Sequence, residues 1–344
     1  MWDTKTTDFN VMNTPNGKDV LKQYVDACKK YEMPAGLYYS PEDFYYLHRR
    51  GVMITRRGPL PDANTDPDYV QFIEKQTTEL MSDYGPISVL FIDGTGKEPV
   101  KRVTWTLQPD CLITRGAMPT PEQTVPGVPM EGAWESCLTM GTQWQYKATN
   151  ENYKSGGRII EILIETRAKG GALLLNVGPG PDGTLPFEQE RNLREVGLWH
   201  FANGEAIHGT RPWIVTNEEN IWFTKKKDTN TVYAFLTKLP NWKRGSRREF
   251  VLRSVQASEN TTVEVLGQNS KWVEYNPKAD AACRWQQKDD GLHLSVVRAQ
   301  RLYNNGKWPN PVVVKITNVE PALMPPVVET LKAVSKSKGT AVFK

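Results

Sequence analysis

Between Gly17 and Tyr31 the apolar residues Val20, Leu21, Tyr24, Val25 and Cys28 recur at helical spacing, and the run 35–39 then stops at Ser40-Pro41. That pattern predicts a helix feeding a strand that opens into a loop. The unit repeats along the chain. Helical spacing over 69–84 leads to an apolar run at 87–93, and 100–107 leads to 111–114. A short run lies at 136–140, and Ile159, Ile160, Leu163 and Ile164 share a face of a predicted helix over 158–169 before the strand 172–177. A last helix is predicted over 187–203. Strands alternating with helices argue for βα units and a parallel sheet, and the five strands before residue 180 predict an α/β fold, most of a (β/α)8 barrel lacking about three strands.

The texture changes after Gly204-Glu205. Short β-rich runs at 221–224, 231–236, 249–252, 262–266, 292–297 and 312–316, separated by polar turns, predict an antiparallel β-sandwich. The expected organisation is therefore a barrel domain over 1–209 with its N-terminal strands missing, a sandwich over 210–320, and an extended or disordered tail over 321–344 with Pro325-Pro326. The predicted loops 40–67 and 114–134 are long, and loops at the C-terminal ends of barrel strands are where pockets are built.

The strand 87–93 carries the sharpest chemical signal, because its apolar run ends at a carboxylate followed by glycine, Asp93-Gly94. Strands buried on both faces read as continuous apolar runs, and their C-terminal ends hold barrel active sites. Asp-Gly also opens turns and caps helices, so the dipeptide alone leaves both roles open.

Composition narrows the classes. A net charge of +4 over 344 residues is too weak a field for nucleic acid, and Lys225–Lys227 and the basic cluster 243–248 read as solvated loops. The four cysteines (Cys28, Cys111, Cys137, Cys283) and four histidines (His48, His200, His208, His293) form no zinc or redox motif. Inert thiols are expected, with Cys28 and Cys111 buried. No apolar stretch is long enough to span a membrane, and the N-terminus is not a signal peptide. Eleven Trp, 13 Tyr and 10 Phe supply flat faces on which sugar rings stack, although most aromatics fill cores. There is no phosphate-binding glycine loop, since the prolines of 178–183 remove needed N–H donors, and no Gly-x-Ser-x-Gly elbow.

What remains is carboxylate chemistry. Arg115 stands at a predicted strand end, with Glu122, Glu131 and Glu135 following. A barrel gathers neighbouring strand ends, so Asp93 can face one of these glutamates, and paired carboxylates are what glycoside hydrolysis requires. With 39 acidic residues, accidental pairs are common, so the pairing alone does not decide.

Segments 1–10 (MWDTKTTDFN), 36–40 (GLYYS), 90–94 (LFIDG), Trp134-Glu135, 171–179 (GALLLNVGP) with Asp182-Gly183, and 203–208 (NGEAIH), in this order, resemble the family 29 α-L-fucosidases. The resemblance runs to about residue 215, and the sandwich behind it is also what that family carries. It implies that Asp93 matches the catalytic nucleophile, forming a covalent fucosyl-enzyme in a retaining mechanism on a fucosylated oligosaccharide or glycoconjugate. No metal or organic cofactor is then needed, because two carboxylates and water suffice. The segment 120–122 resembles the acid/base region, making Glu122 the first choice and Glu135 the reserve. Arg115 matches a pocket arginine, and Tyr38 a pocket tyrosine that could equally be a core aromatic. Phe91 departs from the tryptophan common two residues before the nucleophile; stacking survives that change, an indole N–H contact does not.

Relatives resemble one another in a His-His-Asp-Gly-Phe segment directly before the Met-Trp-Asp with which this chain begins, and those histidines bind fucose hydroxyls. The expectation is a fragment of a longer enzyme that is extracellular or periplasmic in its parent. Two alternatives stand beside hydrolysis. One is a catalytically impaired fragment acting only as a carbohydrate-binding or structural protein, and the other is a different barrel glycosidase.

Overall fold

The computed structural model describes residues 1–53, 60–273, 276–299 and 310–322. The chain divides into two compact units, Met1–Glu122 with Gly132–Glu135, and Gln123–Glu131 with Ser136–Lys344. The expected tail beyond residue 322 and part of the expected loop 40–67 lie outside the described residues.

The first unit holds helix α1 (Val20–Lys30), strand β1 (Gly36–Tyr39), helices α2 (Phe44–Arg49) and α3 (Pro67–Ser82), strand β2 (Val89–Ile92), helix α4 (Lys97–Leu107) and strand β3 (Leu112–Thr114). Local chemistry sets several helix starts. The side chains of Asp19, Asp43 and Asp66 accept the N–H groups of Lys22, Tyr46 and Tyr69, and Pro67 opens α3 where no N–H is needed. On α3 the residues Tyr69, Phe72, Ile73, Gln76, Thr77 and Leu80 form one buried stripe, the spacing that packs a helix against a sheet.

Strands β1, β2 and β3 pair in sequence order as a parallel sheet, each reached from the last through a crossover helix. Leu37, Tyr39, Leu90, Ile92 and Ile113 enter one core with the apolar faces of the helices. Because side chains alternate along a strand, Tyr38 and Phe91, which are direct partners in the register, belong to the opposite face.

The second unit begins with a two-stranded sheet of β4 (Glu135–Thr139), whose first residue belongs to the first unit, and β5 (Ala172–Asn176). Helix α5 (Gly156–Ala168), capped by Ser155, and helix α6 (Phe187–Asn203) accompany them. From Thr210 onward the elements are strands: β6 (Thr210–Glu218), β7 (Ile221–Lys226), β8 (Val232–Leu236), β9 (Arg247–Leu252), β10 (Val255–Val265), β11 (Arg284–Lys288), β12 (Gly291–Val297) and β13 (Val312–Pro321). They form two antiparallel sheets, ordered β10-β13-β8-β7-β6 and β11-β12-β9.

Strand β8 is buried at every position, which is why it reads as an unbroken apolar run. Val232, Ala234 and Leu236 pack with Leu252, Leu292, Leu294 and Val296 of the smaller sheet. Tyr233 and Phe235 point the other way, into a core with Ile160, Ile164 and Trp199 of α5 and α6. Trp199 anchors that core through an indole N–H donated to the Pro311 carbonyl at 2.7 Å.

Three elements escaped the sequence reading. Helix α2 is too short to show a period and buries only Leu47, and β6 lies before the first expected run at 221–224 and buries only Thr210 and Trp213, too few to alternate. Strand β11 sits at a sheet edge with no buried residue, so burial leaves no alternating signature in its sequence. Among the described residues no helix is long and apolar enough to cross a membrane. Cys28, Cys111 and Cys137 are buried, and Cys283 is half-buried.

Phe235→Ala removes a fully buried ring from the helix-facing core, and denaturant unfolding should show a loss of about 3–5 kcal/mol. A loss under about 1 kcal/mol would mean that the site collapses around the gap and that this core is looser than its burial indicates.

Candidate active site

The pairing of β1 and β2 continues one step past the last strand residue, because the Asp93 N–H donates to the Tyr39 carbonyl at 3.1 Å. Asp93 therefore leaves the C-terminal edge of the parallel sheet with its backbone still fixed. The chain then turns sharply through two glycines, Gly94 at φ 86° and Gly96 at φ 74°. Glycine is required at 94 on two counts, since the left-handed conformation disfavours a Cβ and such an atom would lie 2.7 Å from Glu42 Oε1. The same Glu42 oxygen accepts the Thr95 N–H at 2.9 Å and pins the turn from the other side.

Both oxygens of Asp93 are engaged. Tyr38 donates its hydroxyl to Oδ2 at 2.6 Å, and the Arg115 Nε approaches Oδ1 at 3.0 Å. Burial, followed by the hydrogen bond to Asp93 and its negative charge, pushes the Tyr38 phenol well above its ordinary pKa, so it remains a donor. Arg115 also approaches Glu122 Oε2 through Nη1 at 2.5 Å, so one guanidinium bridges two carboxylates. The Phe91 ring stacks on Tyr38 with centroids 5.6 Å apart and lies 5.6 Å from the guanidinium carbon.

Arg115 holds this position at a conformational cost, because its φ of 50° lies in the left-handed region that non-glycine residues avoid. Two hydrogen bonds fix the strained unit. The Arg115 N–H donates to Thr120 Oγ1 at 2.9 Å, and the Lys97 ammonium donates to the Arg115 carbonyl at 2.7 Å.

Glu135 sits beside Thr114, the residue before Arg115. It follows the buried Trp134, and its N–H donates to the Pro119 carbonyl at 3.1 Å. Burial pushes its carboxyl above the usual range, with the Thr114 hydroxyl drawing it partly back. Neither Glu135 Oε1 nor Thr114 Oγ1 makes a well-formed hydrogen bond.

The structure thus gathers Tyr38, Phe91, Asp93, Arg115 and Glu122 in one solvent-open cluster, with side-chain exposures of 36% for Asp93 and 39% for Glu122. Glu42 and Lys97, which hold the cluster's backbone, carried no sequence signal, since each acts through a tertiary contact, and Thr120 was marked only as part of the segment 120–122. Among the described residues no group of three or more His, Cys, Asp or Glu side chains is arranged to hold a metal ion. The arrangement offers a carboxylate oriented from both oxygens beside a second carboxylate, open to a ligand that brings an electrophilic carbon.

A family profile described as alpha-L-fucosidase matches residues 1–205. The plasma alpha-L-fucosidase of Rattus norvegicus is 26% identical over 292 residues, covering 76% of this chain and 61% of the rat protein. The alpha-L-fucosidase of Branchiostoma floridae is 36% identical over 156 residues, covering 43% of this chain and 33% of its own. The chain thus spans about three-fifths or less of the length of these curated relatives. Among solved structures, alpha-L-fucosidase isoenzyme 1 from Paenibacillus thiaminolyticus aligns with TM-score 0.72 and 26% identity over 93% of this chain and 80% of that one. The Bacteroides thetaiotaomicron enzyme, solved as a trapped covalent intermediate, shares the fold with TM-score 0.68 and 17% identity over 93% of this chain and 75% of that one. With a profile match over more than half its length, this chain belongs to the alpha-L-fucosidase family.

Proposed function

We propose that this chain carries the hydrolytic centre of a retaining α-L-fucosidase acting on terminal α-L-fucosides of glycans. We read residues 1–209 as part of a (β/α)8 barrel and 210–320 as a β-sandwich, with the centre at the strand ends of the former. The observation that carries the reading is Asp93 at the end of β2, held by Tyr38 and Arg115 through separate oxygens, with Glu122 on the same guanidinium.

In the first step an Asp93 oxygen attacks the anomeric carbon while the acid/base protonates the departing glycosidic oxygen, leaving a fucosyl ester on Asp93. In the second step the same acid/base, now ionised, takes a proton from water. The oxygen of that water attacks the anomeric carbon and frees the Asp93 carboxylate. Ester formation removes the negative charge of Asp93 while the guanidinium still faces Glu122, whose ionised form is what the second step needs. That favours Glu122 as the base. Protonating the leaving group calls for a carboxylic acid, and the upward-shifted carboxyl of Glu135 is the observation that keeps it as the second reading.

Activity is read as release of 4-nitrophenol from 4-nitrophenyl α-L-fucoside, by this chain and by a chimaera carrying a relative's upstream segment. Saturable fucose binding with no turnover in either form would replace hydrolysis with a binding role. In whichever form turns over, Asp93→Ala should fall to background, and azide should then yield fucosyl azide of inverted configuration. Wild-type turnover in Asp93→Ala overturns the assignment.

Tyr38→Phe removes one hydrogen bond to a charged oxygen, worth about 1.5–3 kcal/mol, and should lower kcat/KM by roughly ten- to a hundredfold with the fold unchanged. An unchanged kcat/KM would make Tyr38 a bystander that merely packs on Phe91.

Glu122→Gln and Glu135→Gln separate the two candidates. The true acid/base variant should lose about 10²–10⁴-fold on a fucoside with a poor leaving group. It should lose far less on the nitrophenyl substrate, with azide giving the retained fucosyl azide. The other variant should show neither the leaving-group dependence nor the azide product.

A further inference from the structure

Two of the four histidines meet in the second unit, far along the chain from Asp93. His200 lies in the last turn of α6, and His208 lies in the turn that leads into β6. Their Nε2 atoms face each other at 2.7 Å, with ring centroids 4.8 Å apart and ring planes at 78°. The backbone fixes this convergence. The His208 N–H donates to the Gly204 carbonyl at 2.9 Å, and the His200 ring rests against Gly204, where a Cβ would lie 3.2 Å from Cε1.

A hydrogen bond between two Nε2 atoms requires one ring to donate and the other to accept, so at least one imidazole is neutral. Among the described residues neither ring has another hydrogen-bond partner, and the pair is open to solvent. The C-terminal end of the 17-residue α6 favours positive charge there.

We propose that His200 and His208 form an open two-imidazole site for a divalent transition-metal ion of the Zn²⁺ or Cu²⁺ class, with water completing the coordination. Imidazole is the ligand these ions share, and Cu²⁺ heads the affinity order for such donors. Two nitrogens at ordinary metal distances around a tetrahedral ion stand about 3.3 Å apart, so the rings open by about 0.6 Å and the donating ring moves its proton to Nδ1. The ion thereby replaces the hydrogen bond between the rings, and no net proton release is needed when both are neutral. Lys226, whose ammonium donates to the His208 carbonyl at 3.3 Å, opposes the added charge, and among the described residues no carboxylate orients either Nδ1. The affinity is therefore well below that of closed four-ligand sites.

The test uses the full chain without a polyhistidine tag, titrated near neutral pH with ZnCl2 and CuCl2 against a chromogenic chelator, while nitrogen NMR follows the imidazoles. The expected result is one ion per chain, with Nε2 shifts confined to His200 and His208. His200→Ala and His208→Gln should each weaken binding by more than about tenfold, since even an outer-shell partner costs roughly 10–100-fold. His48→Ala/His293→Ala should leave binding intact. Shifts centred on His48 or His293, undiminished binding in both pair variants, or no saturable binding by the folded wild-type chain would each overturn the proposal. The wild-type spectra decide the matter even if a variant misfolds.

Discussion

Two carboxylates held close together repel, and the candidate site is organised by how Arg115 offsets that repulsion between Asp93 and Glu122. Its guanidinium reaches Asp93 with one nitrogen and Glu122 with another, and it lies against the Phe91 ring that also carries Tyr38. Much around it serves this placement. The left-handed backbone at Arg115 swings the side chain back toward β2, while Lys97 and Thr120 hold the carbonyl and N–H on either side. A lysine could supply the charge but not two nitrogens in one rigid plane.

The nucleophile candidate is fixed by a different means, backbone geometry at the end of a strand. Parallel register sets Tyr38 beside Phe91 and brings Asp93 one step beyond the sheet, and the two positive-φ glycines with Glu42 then lock the turn. Preorganisation of this kind reduces the reorganisation left for the reacting state.

Much of this architecture was legible from the chain's pattern. Strand β2 announced itself because its apolar run ends at Asp93-Gly94, and α1, α3 and α5 because their apolar positions recur with the helical period. Of the six residues picked from sequence, Tyr38, Phe91, Asp93, Arg115 and Glu122 come together, and Glu135 is placed against Thr114, next to Arg115. What the pattern did not show falls into two physical kinds. Short or edge elements such as α2 and β11 bury too little to impose a period. Contacts such as Glu42 to Thr95, or His200 to His208, depend on how the backbone folds back, which no local spacing encodes.

Strand β8 has a consequence beyond its own packing. Its odd and even positions belong to different cores, Tyr233 and Phe235 to the helices and Val232, Ala234 and Leu236 to the smaller sheet. A slip of one residue against β13 or β7 would exchange the two sets, thrusting aromatic rings where valine and alanine fit and leaving voids on the other side. The two cores are thus wedded through a shared wall whose alignment each enforces on the other. Heat or denaturant should release them as a single cooperative event, with neither surviving the loss of its neighbour.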